Sequence, residues 1–242
     1  MTKIPILAAA AAVCVAALPA RVEAQFFNEH FDTYATGSMI AGQGGWETWD
    51  NNPAANTTVV STQAASAPNS LLTTGASDIV HQFAGVTSGI WHAKVKVFIP
   101  STQTGESWVI LLNTYVPNVH NGALDWSSQV VFCRTGCTTA GVVPGMVTSI
   151  GGSEVTVVGT TPLLLDQWTE LHAQINLTTN QYQLFYNGVQ FYNQPWTVTA
   201  PVRVQAVDLY AGAPGAPSSP TFMDDVWLDP TVPVEGMTFS VE

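Results

Sequence analysis

Period-two alternation dominates the chain from residue 25 onward. No stretch sustains the i, i+3, i+4, i+7 apolar spacing of an amphipathic helix. In Trp91 to Ile99, Trp91, Ala93, Val95, Val97 and Ile99 fall on one face, with His92, Lys94 and Lys96 on the other. Thr169, Leu171, Ala173, Ile175 and Leu177 likewise share a face opposite Glu170, His172 and Gln174. The same pattern predicts strands over 26–34, 57–62, 78–84, 107–116, 127–134, 154–158, 181–187, 203–211 and 221–228. Gly44-Gly45, Pro100-Ser101, Asn121-Gly122, Gly151-Gly152 and Asn187-Gly188 supply turns between them. Short strands without helices imply an all-β chain, either a sandwich or a barrel. No repeat, charge block or Pro-rich linker splits residues 25–230, which read as one domain. The Gly- and Pro-rich segment 212–220 reads as a loop, because the apolar strand after it needs a partner sheet, and 231–242 reads as a short tail.

The first 24 residues read differently. Lys3, an apolar stretch from Ile4 to Leu18 and the small-x-Ala pattern Val22-Glu23-Ala24 predict a signal peptide with a mature start at Gln25. Pro5 and Pro19 argue against a buried helix there. The expected location is secreted or extracellular, or periplasmic. Export removes Cys14 and leaves Cys133 and Cys137 around Thr135-Gly136, a spacing that most simply makes one local disulfide in an oxidising compartment. A zinc site would need two more soft ligands, and no His is spaced to supply them. Asn56-Thr57-Thr58 and Asn176-Leu177-Thr178 are sequons for a eukaryotic secretory pathway.

Charge narrows the partners. With 6 Lys+Arg against 17 Asp+Glu, a net charge of -11, the chain lacks the basic footprint that duplex nucleic acid demands. Charged residues make up only 10% of the chain, so Thr, Ser, Asn, Gln and Gly form a hydroxyl- and amide-rich surface suited to neutral or weakly charged polysaccharides or cell-surface glycans. No internal apolar run approaches the roughly 20 residues that cross a bilayer, so membrane insertion is not expected.

Three segments carry a resemblance. Asn28-Glu29-His30-Phe31-Asp32-Thr33-Tyr34, followed by Gly37 and Gly44-Gly45-Trp46, is similar to the first strand and loop of secreted concanavalin A-like jelly rolls, the laminin G-like and MAM-like superfamily. Trp168 to Gly188 resembles their strand-turn-strand with a Tyr-Asn-Gly turn. Val207 to Gly212 and Met223 to Leu228 resemble their final strands. The resemblance implies an antiparallel jelly-roll β-sandwich with first and last strands side by side. It also implies contact with glycans, as a binding or adhesion module or as a polysaccharide lyase or glycoside hydrolase. A purely structural extracellular protein is a further alternative. The enzymatic branches find weak support in the residues. No strand carries the Glu-x-Asp-x-x-Glu pattern of retaining glucanases. Where alginate-lyase-type members place Gln-x-His, this chain has Gln174-Ile175-Asn176.

Three constellations remain. Glu170 and His172, beside Gln174 and facing His92, Lys94 and Lys96 if the strands pair, could act as acid/base groups or form an ordinary solvated face of ion pairs. Trp46, Trp49, Trp108, Tyr115, Asp125, Trp126 and Arg134, with Glu106 and His120 nearby, are candidate glycan contacts, because sugar C–H faces stack on rings while carboxylates, amides and Arg take hydroxyls. Asp32 with Asp224 or Asp225 could hold a structural Ca2+ where the first and last strands meet. Strand alternation allows at most one of Asp224 and Asp225 to point inward. Otherwise these acids protect an edge.

Overall fold

The computed structural model describes residues 27–75, 77–120, 125–135, 142–143, 148–150, 153–155, 161–197, 200–212 and 218–230. They form an antiparallel β-sandwich. The larger sheet contains β1 (Phe27–Glu29), β3 (Val59–Val60), β4 (Ser70–Gly75), β6 (Ile90–Phe98), β13 (Trp168–Asn176), β14 (Gln181–Tyr186), β15 (Val189–Pro195) and β17 (Ser218–Pro230). Its order is β15-β14-β13-β6-β17-β4-β3, with β1 also against β17. The smaller sheet runs β2 (Trp46–Thr48), β5 (Asp78–Gln82), β16 (Ala206–Ala211), β7 (Ser107–Leu112) and β8 (Trp126–Phe132). Two short pairs lie outside both sheets: β9 (Val142–Val143) with β12 (Thr161–Pro162), and β10 (Thr148–Ile150) with β11 (Ser153–Val155).

Alternation explains the layers. Along β6 and β13 every second residue is buried, so Trp91, Ala93, Val95 and Val97 join Leu171, Ala173 and Ile175 in the core. Opposite them lie Val109 and Leu111 of β7, Val207 and Leu209 of β16 and Ile79 of β5. Burying these side chains contributes about 1.5–3 kcal/mol each, which is what closes two sheets on one another. The first and last strands pair as the resemblance implies, with Phe27 opposite Leu228 and Glu29 opposite Val226.

Trp46 belongs to this core. It is 1% exposed, its indole Nε1 donates to Glu29 Oε2 at 3.3 Å, and its ring packs on Phe31. Glu29 also accepts the Tyr34 hydroxyl at 2.5 Å and the Phe31 N–H at 2.7 Å. The turn before Trp46 must be Gly44: its φ is +56°, and a Cβ there would lie 1.9 Å from the Tyr34 hydroxyl oxygen. Trp46 is thereby corrected from candidate glycan contact to interior lock.

The expected strand over 26–34 ends at Glu29, because Phe31 turns to φ +59°. In the two main sheets three strands not expected from the pattern appear, β2, β4 and β15, and outside them β9, β10 and β12 are unexpected as well. β17 also breaks its alternation. Its register against β6 shifts between Asp224 and Trp227, and Asp225 sits at φ +47°. Such a bulge turns two consecutive side chains the same way. Asp224 Oδ2 accepts the Ala65 and Ser66 N–H groups, and Asp225 Oδ1 accepts the Ser66 hydroxyl, so both acids meet the same loop. The expected alternation of these two acids to opposite faces is therefore broken, and both lie on the side of Lys96 rather than in the core.

Candidate functional site

The outward face of the smaller sheet carries a second apolar cluster, separate from the core. Val80, Ile110, Leu112 and Ala206 form its floor, with Tyr115 beside them. On β7, Trp108, Ile110 and Leu112 alternate outward while Val109 and Leu111 alternate inward. Antiparallel pairing then sets Tyr210 of β16 opposite both Trp108 and Asp78. Trp49 reaches the same face from the short 3-10 turn Trp49–Asn51 that follows β2. A cleft of about 460 Å³ opens here, with Trp49, Trp108, Trp126 and Tyr210 as its aromatic lining. Asp78, Asp208, Ile110 and Gln129 complete it.

Rings hold one another in place around Trp49. Its centroid lies 4.8 Å from Tyr115, 4.8 Å from a stacked His120 and 6.4 Å from Trp126. His120 Nε2 meets Asp50 Oδ1 at 2.6 Å, and the Tyr115 hydroxyl accepts the Asp50 N–H at 3.1 Å. Burial pushes the Tyr115 phenol up to about 12, so it stays a neutral hydroxyl.

The polar part of the cleft is acidic. Asp78 and Asp208 are diagonal neighbours on adjacent strands, and their carboxyls hydrogen-bond to each other. Burial is the largest cause pushing Asp78 up to about 6, and burial followed by the charge of Asp78 pushes Asp208 well above the carboxylate range. Two carboxyls this close cannot both ionise cheaply, so they share a proton. Asp208 is only 3% exposed and Gln129 5%. Among the described residues no N–H or O–H reaches Oδ1 of Asp78 or of Asp208, and Gln129 Nε2 finds no acceptor. Buried polar atoms left without partners are costly, and here they line one cleft.

Of the expected glycan contacts, the structure brings Trp49, Trp108 and Trp126 together. Tyr115, 1% exposed, lies beneath Trp49 as its support. Asp125 is buried and its carbonyl accepts the Asn113 N–H, while Arg134 binds the Gln103 carbonyl through Nε at 3.0 Å; neither lines the cleft. Sequence reasoning missed Asp78, Gln129, Asp208 and Tyr210. One signal existed: Asp208 and Tyr210 alternate with Val207 and Leu209 in an otherwise apolar strand.

Glu170 and His172 lie on the larger sheet, where β13 does pair with β6 and sets Glu170 opposite Lys96 and His172 opposite Lys94. Lys94 Nζ is 3.8 Å from Glu170 Oε2. His172 Nε2 is 2.9 Å from His92 Nδ1, and its ring stacks on Phe185. Burial, then the neighbouring His92 and Lys94, push His172 down to about 4, so it is a neutral imidazole at physiological pH.

The expected calcium ligands are engaged by protein donors. Asp32 Oδ1 accepts the Asn69 N–H, and both oxygens of Asp224 accept backbone N–H groups. Asp225 meets His30 Nδ1 at 2.6 Å and Lys96 Nζ at 2.9 Å. These carboxylates already face donors and cations. No group of three or more His, Cys, Asp or Glu suited to a metal occurs among the described residues. Cys133 is buried, and Cys137 lies outside the described residues.

No protein-family profile and no curated protein sequence matches the chain. Solved structures do. The globular domain of T. cruzi calreticulin superposes with a TM-score of 0.58 at 10% identity, over 86% of this chain and 89% of that one. A sialidase superposes at 0.55 and 9% identity, covering 85% of this chain and 18% of its own. An endo-β-1,4-glucuronan lyase from the fungus Trichoderma reesei superposes at 0.51 and 10% identity, over 85% and 95%. These similarities establish the jelly-roll sandwich and leave function to the site.

Proposed function

We propose that the chain is a secreted glycan-binding domain whose sugar site is the aromatic cleft on the smaller sheet. The observation that carries the reading is the convergence of Trp49, Trp108, Trp126 and Tyr210 on one cleft with the carboxyls of Asp78 and Asp208 and the amide of Gln129. Rings stack on the C–H faces of pyranoses, while carboxyls and amides bond hydroxyls. The volume falls within the roughly 300–1,000 Å³ usual for small-ligand sites. The fold recurs over nearly the whole of a glucuronan lyase, which supports glycan recognition at the level of fold alone.

Binding without hydrolysis is favoured by the same pair. Retaining glycosidases hold their carboxyls about 5–5.5 Å apart and inverting ones about 6.5–9.5 Å apart, whereas Asp78 and Asp208 are close enough for a side-chain hydrogen bond to each other. The test is titration with soluble neutral oligosaccharides, followed by tryptophan fluorescence and calorimetry. Saturable binding is expected, with Trp126→Ala and Trp108→Ala each weakening it by about tenfold or more, equivalent to 1.4 kcal/mol. An absence of binding to a broad panel at millimolar concentration overturns the reading. New ultraviolet absorbance or reducing ends in the same mixtures would replace it with lyase or hydrolase activity.

A further inference from the structure

The lining of the cleft is one-sided in charge. Two carboxyls face it, and among the described residues no Lys or Arg does. Lys94 and Lys96 are on the other sheet, paired with Glu170 and Asp225. The surroundings are acidic as well: Glu47 and Asp50 are close enough to act on Tyr115, and Glu106 on Tyr210. Among the described residues His120 is the cationic option nearby, and it is already bonded to Asp50. A site like this repels uronates and sulfated sugars.

It also spends stability on a feature that a neutral sugar does not require. Packing two carboxyls together beside an apolar floor is unfavourable unless a proton or another cation lies between them. Asp208, which lines the cleft and is more than nine-tenths buried, leaves Oδ1 without a donor among the described residues. Gln129 leaves an amide donor without an acceptor. The vacant complement is therefore a ligand offering a multi-donor cation to the carboxyls and a hydroxyl to the amide. The faces of Trp and Tyr rings attract the same cation, by about 0.5–2 kcal/mol each.

We propose that the cleft selects glycans carrying a free amino group, the ammonium being received by the Asp78–Asp208 carboxyl pair while the surrounding rings stack on the sugar. The inference rests on the glycan-binding reading and specifies its ligand class. The ammonium takes the place of the shared proton, so an amino sugar that is already protonated in solution displaces that proton to solvent, a free-base amine takes it up to become the ammonium, and a neutral sugar displaces none. Asp50, Glu47, Glu106 and His120 are the other ionisable groups around the pair, with the Tyr115 and Tyr210 phenols neutral throughout. The overall charge of -11 adds a longer-range attraction that salt screens.

The experiment compares glucosamine, N-acetylglucosamine and glucose oligosaccharides of equal length by calorimetry at pH 7 and pH 5. The glucosamine oligomer should bind about tenfold or more tightly than the glucose oligomer at pH 7. That preference should shrink severalfold at pH 5, where the proton competes, and the acetylated oligomer should behave as the neutral one. Asp208→Asn, and separately the less buried Asp78→Asn, should bring the amine-to-neutral affinity ratio to within about twofold. Heats measured in two buffers of different ionisation enthalpy should reveal proton release with the amine alone. Equal affinities for the amine and neutral oligomers, or a preference that survives both substitutions, overturns this inference and leaves glycan binding standing. Failure of all three sugars to bind overturns both.

Discussion

Asp208 occupies a strand whose other members are nearly all apolar, and its partnership with Asp78 makes a pH-dependent contribution to folding that one substitution isolates. Both carboxyls are raised in the fold, so between the ordinary Asp value of 3.8 and about 6 for Asp78 the folded chain holds more protons than the unfolded chain. The stability this provides is present below that window and is lost as pH rises through it. Asp78→Asn cannot ionise and does not suffer the loss. It should match the wild type near pH 4 and exceed it at pH 7.5 by on the order of 2 kcal/mol, measured by urea denaturation at each pH. A difference that does not change with pH would mean the pair shares no proton. At this scale the aromatic half of the site was legible, because Trp108 and Trp126 sit at the starts of predicted strands and Trp49 on a predicted loop, where rings reach a surface. The acidic half was not, because Asp78 and Asp208 are remote in sequence and meet only through the pairing of β5 with β16. Trp46 and Trp49 looked equivalent. The first points inward from β2, and the second follows it in a turn where Asp50 at φ +54° redirects the chain.

Whole strands were readable wherever one face meets the core and the other meets water. β6 and β13 are buried at every second residue, as their sequences predict. β4 escaped because Leu71 and Leu72 are adjacent, which blurs a period of two, and β15 because as an edge strand it leaves most of its residues exposed. The bulge in β17 was unreadable for a related reason: nothing in Met223-Asp224-Asp225-Val226 announces a positive φ at a residue other than glycine. That bulge also sets what a calcium ion would have to displace. An ion at Asp225 would have to displace Lys96 and His30, and one at Asp224 the N–H groups of Ala65, Ser66 and Asp225. Burial pushes Asp224 up to about 6, whereas the bonds from Ser66, Lys96 and His30 outweigh burial at Asp225 and hold it below its ordinary value. Melting curves in excess EDTA and in millimolar calcium should coincide. A folded-state ion in hundredfold excess over its Kd would add about 2.7 kcal/mol, so a rise of several degrees would reinstate the metal site.

At the scale of the molecule, the sandwich is closed by its own ends. β17 pairs with β6 along one edge, and along the other it pairs first with β4 and then with β1, so the first strand completes the larger sheet only through the last. Two residues do much of this. Phe27 lies 4.1 Å from His81 and 5.3 Å from Phe83 by ring centroids, and Glu29 ties Phe31, Tyr34 and Trp46 together from a buried position. Removing the strand exposes a Phe worth about 1.5–3 kcal/mol and strands buried partners at about 1–3 kcal/mol each. The sum rivals the whole stability of an ordinary domain, about 5–15 kcal/mol. A chain starting at Gln25, the expected mature start, should therefore melt cooperatively, whereas one starting at His30 should lose most of its transition or melt at least about 10 °C lower. The cleft lies on the other sheet, beyond the core from β1, so its ligands should rescue the shortened chain only to the extent that they bind the folded form. Nearly equal melting temperatures for the two chains would mean that β1 is an accessory and that β4, β6 and β17 alone hold the sheet together.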